Sequence, residues 1–287
     1  MGGTCTIEGG TITGGIATQG GGVYVGPDGI LSVVGGTLGS NNADFGAGIY
    51  NAGGEVTLSG GVVSDNSASF DGGGVYADGG GVSLADGAVL EKNRASESGG
   101  NLALGGDSNG VVFMDGGAIN VQGELVMSGG TITGNGAVIG SGICFDCEQW
   151  QKGKGRLAVS GSPLITENYL SWAAHDREDL TIFMGNDTDE LARISVEGSF
   201  TPVKPPLVNK HYRGGWEYIA LVDPGDYEMD AFACGQDRDI GHTDYVLVKH
   251  DDVLYAYHHT HTWETHTDAR YPNRVTLTCT HATCPNS

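Results

Sequence analysis

The chain has 287 residues, of which 51 are glycine and only 8 proline; average proteins carry ~7% glycine, and with no Gly-X-Y period collagen is excluded. Charged residues reach only 17% and β-branched residues are frequent, which is not the balance of a disordered chain, and no stretch approaches the ~18 consecutive apolar residues of a membrane helix. Lys+Arg number 14 against 35 Asp+Glu, a net charge of −21 that repels phosphate backbones and anionic membranes and argues against nucleic acid as a partner.

Met1 runs straight into Gly2-Gly3-Thr4-Cys5-Thr6-Ile7, without the basic and apolar segments of a signal peptide. At the other end the chain closes on Cys284-Pro285-Asn286-Ser287, just after a possible ligand pair. Both ends read as cuts in a longer protein. Six cysteines are too few for a disulfide scaffold.

Repeats dominate the first half. Gly20-Gly-Gly-Val-Tyr24, Gly46-Ala-Gly-Ile-Tyr50 and Gly72-Gly-Gly-Val-Tyr76 set their tyrosines 26 residues apart, with weaker copies ending at Ala103, Asn120 and Cys144. A second block keeps step: Cys5–Thr13, Leu31–Leu38, Val56–Ser64 and Leu125–Thr133. Each block alternates with period two, so each is a short strand with one buried face. The inward columns are Val23/Ile49/Val75/Leu102, then Cys5/Ile7, Leu31/Val33, Val56/Leu58, Val82/Leu84 and Leu125/Met127, then Ile12/Leu38/Val63/Ile132. Three strands per turn of about 26 residues predict an all-β fold, a right-handed parallel β-helix over residues 1–198 with six to seven coils. Asn41, Asn66, Asn93, Asn135 and Asn168 close the third strand and should form a hydrogen-bonded ladder, asparagine also tolerating a left-handed turn. Residues 104–124 leave the register ambiguous, and 145–155 read as a loop.

These blocks resemble the repeats of right-handed parallel β-helix surface proteins of bacteria, and the glycine- and asparagine-rich repeats of polymorphic outer-membrane adhesins and autotransporter passengers. The likeness covers residues 1 to about 170. It implies a secreted or cell-surface, non-enzymatic repeat module, an adhesin or glycan-binding stalk whose partner is a glycan or a surface protein. The same fold hosts glycoside hydrolases and polysaccharide lyases, so a carbohydrate-active enzyme is the alternative.

Two columns in the repeat carry candidate chemistry. Tyr24, Tyr50 and Tyr76 alternate with the buried column, so their rings should stack facing outward, either to bind sugar faces or to hold coil on coil. Asp44, Asp71, Glu97 and Asp115 sit at the turn before the Gly-Gly strand, a candidate ligand, Ca²⁺ or catalytic column, although aspartate is common at turns for backbone bonding alone. Scarcity of Lys and Arg before residue 170 argues against acidic glycans as substrates.

Beyond Asn168 the glycine blocks stop. Asp179–Phe183 and Ala192–Val196 read as the last coil strands, and Phe200-Thr-Pro-Val-Lys-Pro-Pro206 as a linker. Residues 199–257 should form a small antiparallel cap, with Tyr245–Val248 and Val253–Tyr257 paired as a hairpin. Residues 258–287 hold few large apolar groups and need a staple. His259 and His261 with Cys279 and Cys284 could bind one Zn²⁺, His281 being a substitute ligand; a Cys279–Cys284 disulfide, or neither, is the competing reading. The spacing also resembles a small His-x-His-x-Trp…Cys-x4-Cys module at the C-terminal side of gut-bacterial surface repeat proteins, matched over 259–284.

Overall fold

The computed structural model describes residues 2–279 except 97–101, 105–122, 138–140, 146–155, 171–172, 178, 185–193, 213–217, 238–244, 251–252, 259–262 and 269–270. The chain is all-β, with four parallel sheets in the periodic strand pattern of a right-handed parallel β-helix. Each of the first six coils contributes one parallel strand to each sheet. In the second coil these are Ile30–Val33, Thr37–Gly39, Asn42–Phe45 and Ile49–Asn51, each hydrogen-bonded to its equivalent in the coils before and after. The coil thus has four strands, not the three expected. The additional one, in the third sheet, is Ile16–Gln19, Asn42–Phe45, Ser67–Asp71, Arg94–Ala95, Gly136–Ala137 and Tyr169–Leu170 in successive coils.

Register follows the glycine blocks. Cys5, Leu31, Val56, Val82, Leu125, Leu157 and Ile194 form one continuous column of the first sheet. In the fourth sheet Leu102 pairs directly with Ile143; residues 105–122, with the weak copy at 116–120, lie outside the described residues. From the second coil on, the expected columns of the first, second and fourth sheets pack into one apolar core, with Leu31, Val33, Leu38, Ile49, Leu58, Leu84, Leu90, Leu125 and Met127 all at most 1% exposed. The first coil departs from the expectation, Cys5 being exposed and Ile7, Ile12 and Val23 half-buried, because among the described residues no coil stacks on its outer edge. Each such side chain contributes about 1.5–3 kcal/mol on burial.

At the corner between the second and third sheets the chain turns through a left-handed residue. Ser40, Asp65, Lys92, Gly134 and Glu167 occupy this place with φ of 54–65°. Each precedes a ladder asparagine, so the left-handed residue is the asparagine's neighbour and not the asparagine, as the sequence had suggested. The five asparagines are buried and bonded in one direction. The Nδ2 of Asn41 donates to Oδ1 of Asn66 at 3.0 Å, Asn66 to Asn93 at 2.9 Å, Asn93 to Asn135 at 3.4 Å and Asn135 to Asn168 at 2.8 Å. The same Oδ1 atoms accept the backbone N–H of the preceding asparagine. Asn168 donates onward to Oδ1 of Asp179 at 3.2 Å, and Oδ2 of Asp179 accepts the backbone N–H of Leu207 at 3.2 Å.

The parallel ladders run on past residue 198: Leu207–Tyr212 and Ala233–Asp237 extend the fourth sheet. The proline-rich stretch read as a linker is docked on the preceding coil. Phe200 is 1% exposed and stacks on Phe232 at 5.0 Å, Thr201 N–H donates to Gly161 O, and Lys204 bridges Leu164. The expected hairpin is present, Tyr245–His250 pairing antiparallel with Val253–His258, and Tyr218–Val222 joins it to the end of the first sheet. Trp263–Asp268 and Tyr271–Cys279 form a further antiparallel pair. Among the described residues no helix is long and apolar enough to cross a membrane.

Removing one rung of the asparagine ladder should be costly. In Asn66→Ala the N–H and Nδ2 of Asn41, the carbonyl of Leu38 and Oδ1 of Asn93 all lose a buried partner. At about 1–3 kcal/mol per orphaned buried group, partly relieved by rearrangement, we expect a loss of roughly 3–5 kcal/mol. Urea denaturation followed by circular dichroism checks this; a loss under about 1 kcal/mol would show that the ladder adds little.

Candidate functional site

The third sheet turns one column of side chains inward and the next outward. The inward column is Ala17, Ala43, Ala68, Ala95 and Ala137, of which the last four are buried. Outward, in continuous register, come Ile16, Asn42, Ser67, Arg94, Gly136 and Tyr169, each immediately after a ladder asparagine or its first-coil equivalent. Six rungs at ~4.8 Å make a lateral strip about 24 Å long. The strip is hollowed into two adjoining grooves that share Ser67. One, of about 310 Å³, is lined by Ile16, Asn42, Asp44, Ser67, Ser69 and Ser96. The other, of about 320 Å³, is lined by Asp65, Ser67, Lys92, Arg94, Gly134 and Tyr169. An apolar group at one end, hydroxyls and an amide between, and two cations with a ring at the other make a surface suited to an extended polar ligand.

None of these residues except Asp44 stood out in the sequence, because the third strand was read as a turn. A usable signal was present. The residue after each ladder asparagine is the outward position of a strand, which gives Asn42, Ser67, Arg94, Gly136 and Tyr169 directly.

The acidic turn column divides differently. Asp44 lines the groove, whereas Asp71 is 8% exposed and in register with Phe45, across a bulge between Ala68 and Asp71. The two aspartates therefore do not occupy equivalent rungs. Glu97 and Asp115 lie outside the described residues.

Tyr24, Tyr50 and Tyr76 are in register and stacked, at 5.5 Å and 5.3 Å between ring centres. Only Tyr24 stands in solvent, at 53% exposure; Tyr50 and Tyr76 are buried at 3% and 7%. The reason is lateral cover. Phe45, at the end of a third-sheet strand, packs at 5.4 Å against Tyr76 and at 5.2 Å on Phe70. The Tyr50 hydroxyl donates to Oδ2 of Asp78 at 2.7 Å. Burial first, then the bond to Asp78 and its negative charge, hold the Tyr50 phenol well above the usual tyrosine range, with Gln19 acting in the opposite sense. The column is accordingly a coil-to-coil staple, with Tyr24 the one ring of the three open to a ligand.

His259, His261, His281 and Cys284 lie outside the described residues. Cys279 ends the strand Tyr271–Cys279 and pairs with Trp263. Among the described residues no group of three or more His, Cys, Asp or Glu is placed to hold a metal ion. Comparison with known protein families, curated proteins and solved structures finds no match.

The Tyr50 phenol makes an alkaline prediction. Its proton is held in both states below the unfolded value near 10, and above that the unfolded chain loses it first. Stability should therefore fall as pH rises through 10 toward the raised folded value. Tyr50→Phe should cost about 1 kcal/mol at neutral pH through loss of the bond to Asp78, yet decline less steeply in alkali. Urea midpoints of both proteins from about pH 7 to pH 11 decide the matter, and an equal or steeper alkaline decline in the variant would contradict the assignment.

Proposed function

We propose that the chain is a non-enzymatic extracellular repeat module of a bacterial cell-surface protein, an adhesin or stalk that binds a glycan along the outer face of its third sheet. The observation that carries this reading is the continuous strip from Ile16 to Tyr169, which offers a new side chain at every coil on a rigid backbone. Ser67, Ser69, Ser96 and Asn42 supply hydrogen-bonding groups for sugar hydroxyls, and Tyr169 a ring for their apolar faces. The strongly acidic surface keeps such modules soluble and apart, and the likeness of the repeats to bacterial surface proteins supports a place outside the cell.

A carbohydrate-active enzyme, hydrolase or lyase, is the second reading, favoured by the presence of Asp44 in the groove. A glycan array run beside a reducing-sugar release assay separates the two. Binding without release, abolished by Ser67→Trp at an unchanged melting temperature, is the expected outcome. Release of sugar that disappears in Asp44→Asn or Asp71→Asn would overturn it.

The zinc site proposed for His259, His261, Cys279 and Cys284 keeps one supporting feature. Pairing of Cys279 with Trp263 brings the end of that strand to within two residues of His261 along the facing chain. Protein purified without a His-tag or nickel column should contain one equivalent of zinc, with thiols at 279 and 284 that react only after chelation. Absence of metal together with absence of free thiols there would mean a disulfide instead.

A further inference from the structure

Resting on the third-sheet strip as the binding face, a sharper statement about its ligand follows from where the cations fall. Lys92 and Arg94 are the only Lys or Arg among the first 151 residues, and both line the same groove. Lys92 is occupied by Glu91, at 3.3 Å. Arg94 is exposed on the strip and makes no ion pair or side-chain hydrogen bond among the described residues. In a protein of net charge −21, an uncompensated guanidinium amid so many carboxylates is unusual. Among the described residues no carboxylate is bonded to it, although Asp65 lines the same groove.

The surroundings of Arg94 are shaped as well as charged. Register sets it between Ser67 and Gly136, and Gly136 next to Tyr169. Gly136 leaves space that the Tyr169 ring fills: a Cβ there would meet Cε2, Cζ and Oη of Tyr169 at 3.0, 3.1 and 3.2 Å. The ring is thus folded back over the glycine toward the coil of Arg94, so an aromatic surface and a free guanidinium lie about two coil spacings apart at most, roughly 10 Å. A planar fork of N–H donors beside an aromatic ring matches a sugar that carries a carboxylate, the acid on the fork and the ring's apolar face on the tyrosine.

We propose that the groove of Ser67, Arg94, Gly134 and Tyr169, with Gly136 seating the tyrosine ring from beneath, is a subsite for a carboxylate-bearing sugar within an otherwise neutral glycan. The restriction to an isolated acid comes from the remaining charges. Asp65 lines the same groove, and the chain as a whole is acidic, so a uniformly charged polyuronate meets repulsion along the strip. Screening over ~8 Å at physiological ionic strength confines a single acid's interactions to its neighbours, and a direct two-pronged bond to Arg94 outweighs the more distant Asp65. The scarcity of cations that argues against acidic polymers as ligands is therefore compatible with one acidic residue per binding site.

The test uses the whole chain and four defined probes: xylotetraose, xylo-oligosaccharides of the same length bearing one glucuronic acid or one sulfate, and tetragalacturonate. Calorimetric titration should give about tenfold tighter binding for the single-acid probe than for the neutral one, the gain expected of a charge-assisted bidentate contact. Arg94→Gln should bring the single-acid probe down to the level of the neutral one, and tetragalacturonate should bind more weakly than the single-acid probe. Gly136→Ala, which obliges only the tip of a flexible side chain to move, should displace the ring and weaken the neutral and single-acid probes alike. Equal affinity for neutral and single-acid probes, or a preference that survives Arg94→Gln, overturns the subsite while leaving the glycan-binding reading intact. Preference for a sulfated xylo-oligosaccharide over the glucuronic one overturns the carboxylate. Failure of every probe in the series to bind, at concentrations where the protein is folded, overturns the subsite and counts against the parent reading.

Discussion

Each asparagine of the ladder settles two problems created by one sharp corner. Between the second and third strands the backbone passes through a left-handed residue, so the N–H that follows it needs an acceptor in a side chain of the next coil, and a second-strand carbonyl of the coil before is open to a side-chain amide. The amide of the next residue supplies what is missing. Asn66 donates to the carbonyl of Leu38 in the coil before, and its Oδ1 accepts both the N–H and the amide of Asn41. Asn41, Asn93, Asn135 and Asn168 repeat the arrangement with the carbonyls of Ile12, Val63, Leu90 and Ile132. The chain of bonds has a direction, every side chain accepting from the coil before and donating to the coil after. Its last member must therefore accept without needing to donate. Asp179, with two acceptor oxygens and no donor when ionised, meets that condition and passes the remaining contact to the backbone of Leu207.

The ladder also divides the interior. Its amides reach across to the start of the fourth strand, where a Cβ on Gly22, Gly48 or Gly142 would meet Nδ2 of Asn41, Asn66 or Asn168 at about 3 Å. Glycine at Gly48 is demanded first by the Gly74 carbonyl of the next coil, 2.4 Å from a Cβ there, with Val63 and the asparagine closing the rest of the space, whereas at Gly46, with φ of 59° and a Cβ 2.4 Å from the Ile49 carbonyl, it is demanded by the turn. On one side of the amides lies the Leu, Ile and Val core; on the other a thin compartment, filled among the described residues by Ala43, Ala47, Ala68, Ala95 and Ala137.

That division explains what could be read in the sequence. Strands of the first, second and fourth sheets face the large core, so Leu31/Val33 or Val56/Leu58 alternate visibly with polar residues and the period of 26 is plain. The third strand faces the thin compartment. Its inward residues are alanines, and Asn-Ala-Asp-Phe or Ser-Ala-Ser-Phe lacks the apolar contrast that marks a half-buried strand. It was read as a turn, and with it went the outward column and most of the groove. The stack of tyrosines is legible in the period, but its burial is not, because Phe45, which packs on Tyr76 and itself stacks on Phe70, belongs to this same strand. Asp179 shows no sign in the sequence of its part in the ladder, since that part depends on the fold of residues eleven positions away.

The same constraint determines where variation is free. A position such as 67, 94, 136 or 169 is preceded by a buried asparagine held from both sides, and at 67, 94 and 136 it is followed by a buried alanine. Backbone position and side-chain direction are therefore set by the ladder, while the side chain itself meets only its equivalents one coil away. Serine, arginine, glycine and tyrosine can succeed one another there without disturbing the core, and the small residue of one coil becomes the seat for the large residue of the next, as Gly136 does for Tyr169. Binding groups carried in this way need no loop to order on contact, so their affinity is not reduced by the entropy of fixing a mobile segment. The interior, uniform and directional, is what allows the outer face of the third sheet to be irregular.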